Sequence, residues 1–231
     1  MTPRKAAWIV MAGALLLGGA STASAQWNST AIGVAEYDTE QTLLLLAGVS
    51  ASPGGVGIAP LVGVQANFLT FDAVDRVEVF TVRPYAGLRS GYEGGSLYGT
   101  VGYAFSSRDE DVGAVAADRG SGVVVSAGLD HWGTGGPLGY QLLGSYNFGS
   151  EAYWTRGRVT TRAGRTSGMR VGGEVALLGG EGYSAWQPGA IVEWHNGAGR
   201  ILGLGAGMKL FDAGDDAFYV RVEGVLPLSR R

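Results

Sequence analysis

The sequence predicts an all-β chain that closes into an antiparallel barrel with lipid outside, and three observations carry that reading. Apolar and polar side chains alternate with period two from end to end, the signature of half-buried strands. Glycine supplies 41 of the 231 residues, more than double its usual share of about 7 %, with neither a collagen period nor a low-complexity block. The connections between alternating segments belong to two chemical classes that take turns along the chain.

The N-terminus comes first in order. Arg4 and Lys5 precede an apolar run from Ala6 to Leu17, and small residues follow to Ala23-Ser24-Ala25. This is the layout of a secretory signal with an A-x-A site cut before Gln26. Residues 1–25 are therefore expected to be a leader and residues 26–231 one exported domain. The run is short for a spanning helix, and no second apolar stretch of about 20 residues follows it. Cysteine is absent, which removes a disulfide scaffold and any cysteine-based metal site. The balance of 20 acidic against 17 basic residues, net −3, gives no basic patch and no reason to expect nucleic acid. No cofactor motif is present.

Twelve candidate strands follow, at 30–37, 42–51, 56–69, 76–90, 95–107, 121–132, 137–148, 152–163, 168–178, 184–195, 200–211 and 217–228, with ten the alternative count. The first four are delimited by "DTEQ", "SPGG", "FDAVD" and "YEGG". The fifth, "SLYGTVGYAF", sets Leu97, Val101, Tyr103 and Phe105 against Ser96, Tyr98, Thr100 and Ala104. The sixth contains "SAGLDHW", and the seventh gives Leu138, Tyr140, Leu142, Tyr146 and Phe148 against Gly139, Gln141, Ser145 and Asn147. The eighth, "YWTRGRVTTR", puts Trp154, Arg156, Arg158, Thr160 and Arg162 on one face. After the ninth, the tenth opposes Trp186, Pro188, Ala190, Val192 and Trp194 to Gln187, Gly189, Ile191 and Glu193. The eleventh, "RILGLGAGMKLF", carries Gly203, Gly205 and Gly207 on alternate positions. A phosphate-binding loop needs G-x-G-x-x-G between a strand and a helix. Here the spacing is G-x-G-x-G inside a strand, so the glycines are read as room for Tyr219 and Arg221 of the twelfth strand.

Parity decides the topology. Connections after even strands ("SPGG", "YEGG", "GTGG", "AGRTS", "NGAGR") are tight and nearly free of acid, while those after odd strands are acidic, and the fifth is long. Two alternating classes imply two ends of one antiparallel structure. A soluble sandwich would also alternate, but its outer face should be wet and charged. Here one face is apolar with aromatics near strand ends, and the other holds Gly, Ser, Gln, Asn and most strand charges. Only a barrel in lipid wants that arrangement.

The predicted inner face carries Arg83, Arg89, Arg156, Arg158, Arg162, Arg170 and Arg221 set against Glu174, Glu193 and Glu223. One reading is a salt-bridge network that fills a narrow barrel, since charges out of water must be paired. The other is a basic lumen that guides an anionic or polyhydroxyl solute. With Tyr98, Trp132, Trp154 and Tyr219 on the same face, the lumen is expected to be constricted. His131 and His195 both stand at turn-side strand ends and read as members of an aromatic girdle. Outer-membrane phospholipases of twelve strands place a Ser two residues after the catalytic His, where Gly197 stands here, so a non-enzymatic barrel is expected. The acidic stretch from Arg108 to Arg119, with Asp109, Glu110, Asp111 and Asp118, lacks the spacing of a calcium loop and reads as solvated.

From Tyr153 onward, "YWTRGRVTTR", "GMRVGGEVALLGGEGYSAWQPGAIVEW" and "LGLGAGMKLFDAGDDAFYVRVEGVL" resemble the C-terminal half of the cellulose-biosynthesis BcsS family. The resemblance covers a third to a half of the chain, with the glycine–acid pairs of "GGEVALLGGEGY" its most characteristic piece. It implies a barrel in the outer membrane, in contact with outer-membrane lipid and with polysaccharide-secretion machinery, and it carries over no catalytic residues. The sequence ends "VLPLSRR" without the terminal Phe common in such barrels, so Leu226 or Leu228 is expected to serve as the assembly signal.

Overall fold

The computed structural model describes residues 27–72, 76–110, 120–132, 137–164, 168–180, 183–196, 198–212 and 214–228. The leader, Asp111 and Asp118 lie outside them. Twelve strands follow in order: β1 (Trp27–Asp38), β2 (Leu43–Pro53), β3 (Gly57–Asp72), β4 (Arg76–Tyr92), β5 (Gly95–Glu110), β6 (Gly122–His131), β7 (Leu138–Asn147), β8 (Ala152–Arg162), β9 (Met169–Gly180), β10 (Tyr183–His195), β11 (Ile201–Phe211) and β12 (Ala217–Pro227). Each pairs antiparallel with the next, and β12 returns to β1, so the sheet is a closed twelve-stranded barrel. Along the seam, Thr30 to Asp38 lie opposite Pro227 to Tyr219. Closure leaves no sheet edge unpaired, which is what a strand structure surrounded by hydrocarbon requires.

Strand limits differ from the sequence reading by a few residues, and pairing explains the differences. β1 begins at Trp27 because Trp27, Asn28 and Ser29 find partners in Pro53, Ser52 and Ala51. β5 continues to Glu110, into the stretch read as loop, because Val77 to Val79 of β4 run alongside it. The strand ends that flank the short glycine connections lie at one end together with Trp27 and Pro227, and those that flank the acidic connections lie at the other. In the β4–β5 turn Gly94 has φ 83°, a left-handed conformation that glycine adopts at little cost.

Exposure follows the inverse of a water-soluble pattern. The outward positions are large and apolar, such as Leu142 at 55 %, Val159 at 57 % and Phe218 at 63 % exposed. Inward positions are polar and covered, such as Arg158 at 3 % and Glu193 at 0 %. Outward aromatics stand near both rims: Tyr140 and Trp194 toward the turns, Tyr37, Phe105, Trp186 and Phe218 toward the acidic loops, all exposed. Mid-strand positions between them, such as Val101 and Leu204, are aliphatic, and this is the banding of a barrel that faces acyl chains between two interfaces.

Candidate functional site

The interior is built around the glycines of β11. Gly203, Gly205 and Gly207 lie opposite Glu223, Arg221 and Tyr219 of β12. A Cβ on Gly203 would stand 2.8 Å from the Glu223 Cγ, and one on Gly207 would overlap the Pro188 carbonyl oxygen while standing 2.8 Å from the Tyr219 ring. The bare strand therefore lets the long side chains of β12 lean across it toward β9 and β10. This is close approach of side chains over backbone, and it leaves no cradle for a phosphate.

Across that surface runs a bundle of paired charges. Arg158 is its hub. Its Nε and Nη2 donate to Glu174 Oε2 at 3.1 and 2.8 Å, and its Nη1 donates to Glu193 Oε1 at 2.7 Å. It also donates from both terminal nitrogens to the Glu223 carboxylate, to Oε2 at 2.9 Å. Arg156 Nη1 reaches Glu223 Oε2 at 3.0 Å, its Nη2 reaches Gln141 Oε1 at 2.7 Å, and its guanidinium lies over the Trp154 ring at 5.6 Å. Arg221 donates to Glu174 and lies 3.4 Å from Glu36, while the Tyr219 hydroxyl donates to Glu174 at 3.3 Å. Lys209 Nζ lies 2.9 Å from Glu36 and 2.6 Å from Asp38, and Gln187 donates to Glu36 at 2.8 Å. Four cations meet five carboxylates, nearly all of them buried. Charges so placed persist only when geometry is good and remaining lone pairs are satisfied, and the planar fork of arginine suits bridging carboxylates.

Glu36, Asp38, Gln187 and Lys209 were absent from the sequence-based network. The signal for them was present: Lys209 continues the Gly203–Gly207 face, and Glu36 and Asp38 flank the outward Tyr37.

The remaining predicted arginines also line the lumen but form no ion pair with Glu174, Glu193 or Glu223 among the described residues, although Arg170 stands opposite Glu193 in register. Arg170 donates from Nε to the Thr160 hydroxyl at 3.0 Å and from its terminal nitrogens to the carbonyls of Pro137, Thr160 and Trp132 at 3.1, 3.2 and 3.4 Å. Arg83 donates to Gln65 at 2.5 Å and to Ser126 at 3.3 Å, and its guanidinium stands 5.9 Å from the Tyr85 ring centroid. Arg89 and Arg162 form no ion pair among the described residues. These four, with Arg200, line a cavity of about 1570 Å³ that occupies the turn-side half of the barrel. Its inner end lies at the level of Gln65, Arg83 and Ser126, near the middle of their strands. Asp130, which accepts from the Ser96 hydroxyl at 2.9 Å, is the acidic residue of its described lining.

The histidines separate. His131 points outward between Tyr92 and Tyr140, with ring centroids at 6.0 and 5.1 Å. His195 faces inward, its Nε2 3.0 Å from Glu193 Oε2 and its ring 5.5 Å from Trp132. The girdle reading therefore fits His131 and fails for His195, which shares its strand parity with Glu193.

No family model matches the chain, and no curated protein matches it. Solved structures do. An outer-membrane channel from Pseudomonas putida F1 aligns with TM-score 0.59 at 11 % identity, covering 91 % of this chain and 98 % of that one. The β domain of the Bordetella autotransporter BrkA gives 0.52 at 12 % identity, over 87 % and 99 %. The KdgM porin gives 0.51 at 10 % identity, also over 87 % and 99 %. At such identities the likeness establishes the fold: a closed twelve-stranded barrel of the kind found in outer-membrane proteins.

Proposed function

We propose that this chain is an outer-membrane barrel that serves secretion of an exopolysaccharide, cellulose being the polymer its C-terminal half suggests, without catalysing a reaction itself. The observation that carries the membrane part of the reading is the inversion of faces, with aliphatic and aromatic side chains outside and the charged bundle inside. Burial of the bundle is tolerable because its charges are paired, whereas turning it outward would expose guanidinium groups to lipid at about 2–4 kcal/mol each near the midplane. The signal-like start of the sequence supports export, and the tight turns then face the periplasm. The resemblance from Tyr153 onward supports the polysaccharide connection. Deleting the gene and measuring cellulose output tests it: a fall is expected, and unchanged output refutes the role.

The turn-side cavity and its basic lining favour a second reading, a small-solute channel. The two readings differ in conductance. Arg156 bonded to Gln141, Arg158 to three carboxylates, and Arg83 to Gln65 and Ser126 occupy the lumen near mid-height. Planar-bilayer recording is expected to be nearly silent, and a steady porin-like current would replace the accessory role with the channel.

A further inference from the structure

Among the described residues, the arginines of the turn-side cavity outnumber the carboxylates there, whereas their counterparts in the bundle do not. The described lining holds Arg83, Arg89, Arg162, Arg170 and Arg200 against Asp130, a formal net charge of +4. The bundle holds Arg156, Arg158, Lys209 and Arg221 against Glu36, Asp38, Glu174, Glu193 and Glu223, a formal net of −1. We infer that the turn-side cavity is a binding site for an anionic saccharide, a sugar chain bearing carboxylate groups, which enters from the end where the short turns lie.

Four features support that ligand. A concave site lined predominantly by one sign of charge concentrates counter-ions of the opposite sign. Arg170 is already oriented by a hydroxyl and three carbonyl oxygens, all neutral, so its guanidinium is held in place without an ion pair, with Glu193 opposite it in register and engaged by Arg158. The guanidinium fork matches a carboxylate with two parallel hydrogen bonds. Trp132, Tyr85 and Tyr98 also line the cavity, and flat aromatic faces pack against the apolar C–H faces of sugar rings while Tyr and Trp retain a polar edge. The volume of about 1570 Å³ exceeds the roughly 300–1,000 Å³ typical of a small-molecule pocket, which leaves room for an oligomer of several sugar units. The inference rests on the barrel reading for its orientation and is independent of cellulose output.

The test compares two oligomers that differ only in oxidation at C6: a β-1,4-linked glucuronate hexamer and cellohexaose. Each is titrated calorimetrically into the purified barrel in detergent. The charged hexamer is expected to bind at least about tenfold more tightly, because charge-assisted hydrogen bonds replace neutral ones, and its advantage is expected to shrink as salt rises. The double variant Arg89→Gln, Arg162→Gln is expected to lose about tenfold in that affinity while retaining the heat-modifiable gel mobility of a folded barrel. Equal affinity for the two hexamers, no binding of the charged one, or full affinity in the folded double variant would overturn the inference. Inorganic phosphate binding as tightly as the hexamer would overturn it too, since the aromatic wall would then contribute nothing. Cellulose output in a deletion strain reads a different property, so either proposal can fail alone.

Discussion

Arg158 and Arg170 sit inward on adjacent strands, each 3 % exposed, and their surroundings could hardly differ more. Arg158 lies in the wall formed by β8 to β12 and β1, where three strands each present a glutamate to it. Arg170 lies at the turn-side cavity, held by carbonyl oxygens and Thr160. Burial and residue type are the same. Each has a glutamate opposite it in register, Glu174 for Arg158 and Glu193 for Arg170, and the difference is that the Glu193 carboxylate turns to Arg158 and His195 instead. In one region every cation has a carboxylate partner; the other holds arginines without an ion pair among the described residues beside open volume, and only the second has reason to recruit a ligand.

The sharpest way to break this comparison is to remove a carboxylate from the bundle. Glu174→Ala leaves Arg158 and Arg221 short of a partner inside the barrel and is expected to cost about 3–5 kcal/mol, read from the urea midpoint of refolding into phospholipid vesicles. Arg170→Ala removes a charge that makes no ion pair among the described residues, and Glu193 keeps Arg158 as its partner, so it is expected to cost less. Equal losses would show that the two regions are energetically alike. A second substitution tests the frame that makes both interior. Leu142→Arg places a guanidinium on the outward face near the middle of β7 and is expected to cost about 2–4 kcal/mol. A neutral result in the same assay would mean that Leu142 does not face acyl chains.

Smaller effects sharpen the account of how the bundle is accommodated. Gly207→Ala drives a Cβ into the Pro188 carbonyl and is expected to lose about 1–3 kcal/mol through overpacking. Gly205→Ala meets nothing nearer than the Arg221 Nη2 at 3.4 Å and is expected to stay within about 0.5 kcal/mol of the parent. Reversal of that order would mean that β11 is bare for another reason. The smallest effect belongs to the cavity rim, where Arg162→Gln should change stability by no more than about 0.5 kcal/mol. A large loss there would reveal a structural partner for Arg162.

Much of this molecule was legible in one dimension. Period two placed Arg156 and Arg158 together with Trp154, and it placed Glu193 opposite Trp194. Loop chemistry separated the two ends. The inward glycines of β11 also followed, because "GLGAG" leaves apolar side chains only on the other face. These are local properties: successive side chains of a strand point to opposite sides, so the sequence itself assigns the faces. His195 was legible by the same parity and was grouped with His131 because both end a strand beside a tryptophan.

Partnership was decided elsewhere. Arg158 meets glutamates 16, 35 and 65 residues away, and Glu36 meets Gln187 and Arg221 across 151 and 185 residues. No period in the chain encodes those distances. They follow from the register of each strand pair and from closure of β12 on β1, which brings Glu36 to the height of Arg221. The sequence by itself determined that a strand would turn its arginines inward, because a strand's side-chain period is local. Whether each arginine would find a carboxylate or an open cavity was fixed by the tertiary structure, because a charge is neutralised only by what lies within a few ångströms of it in space.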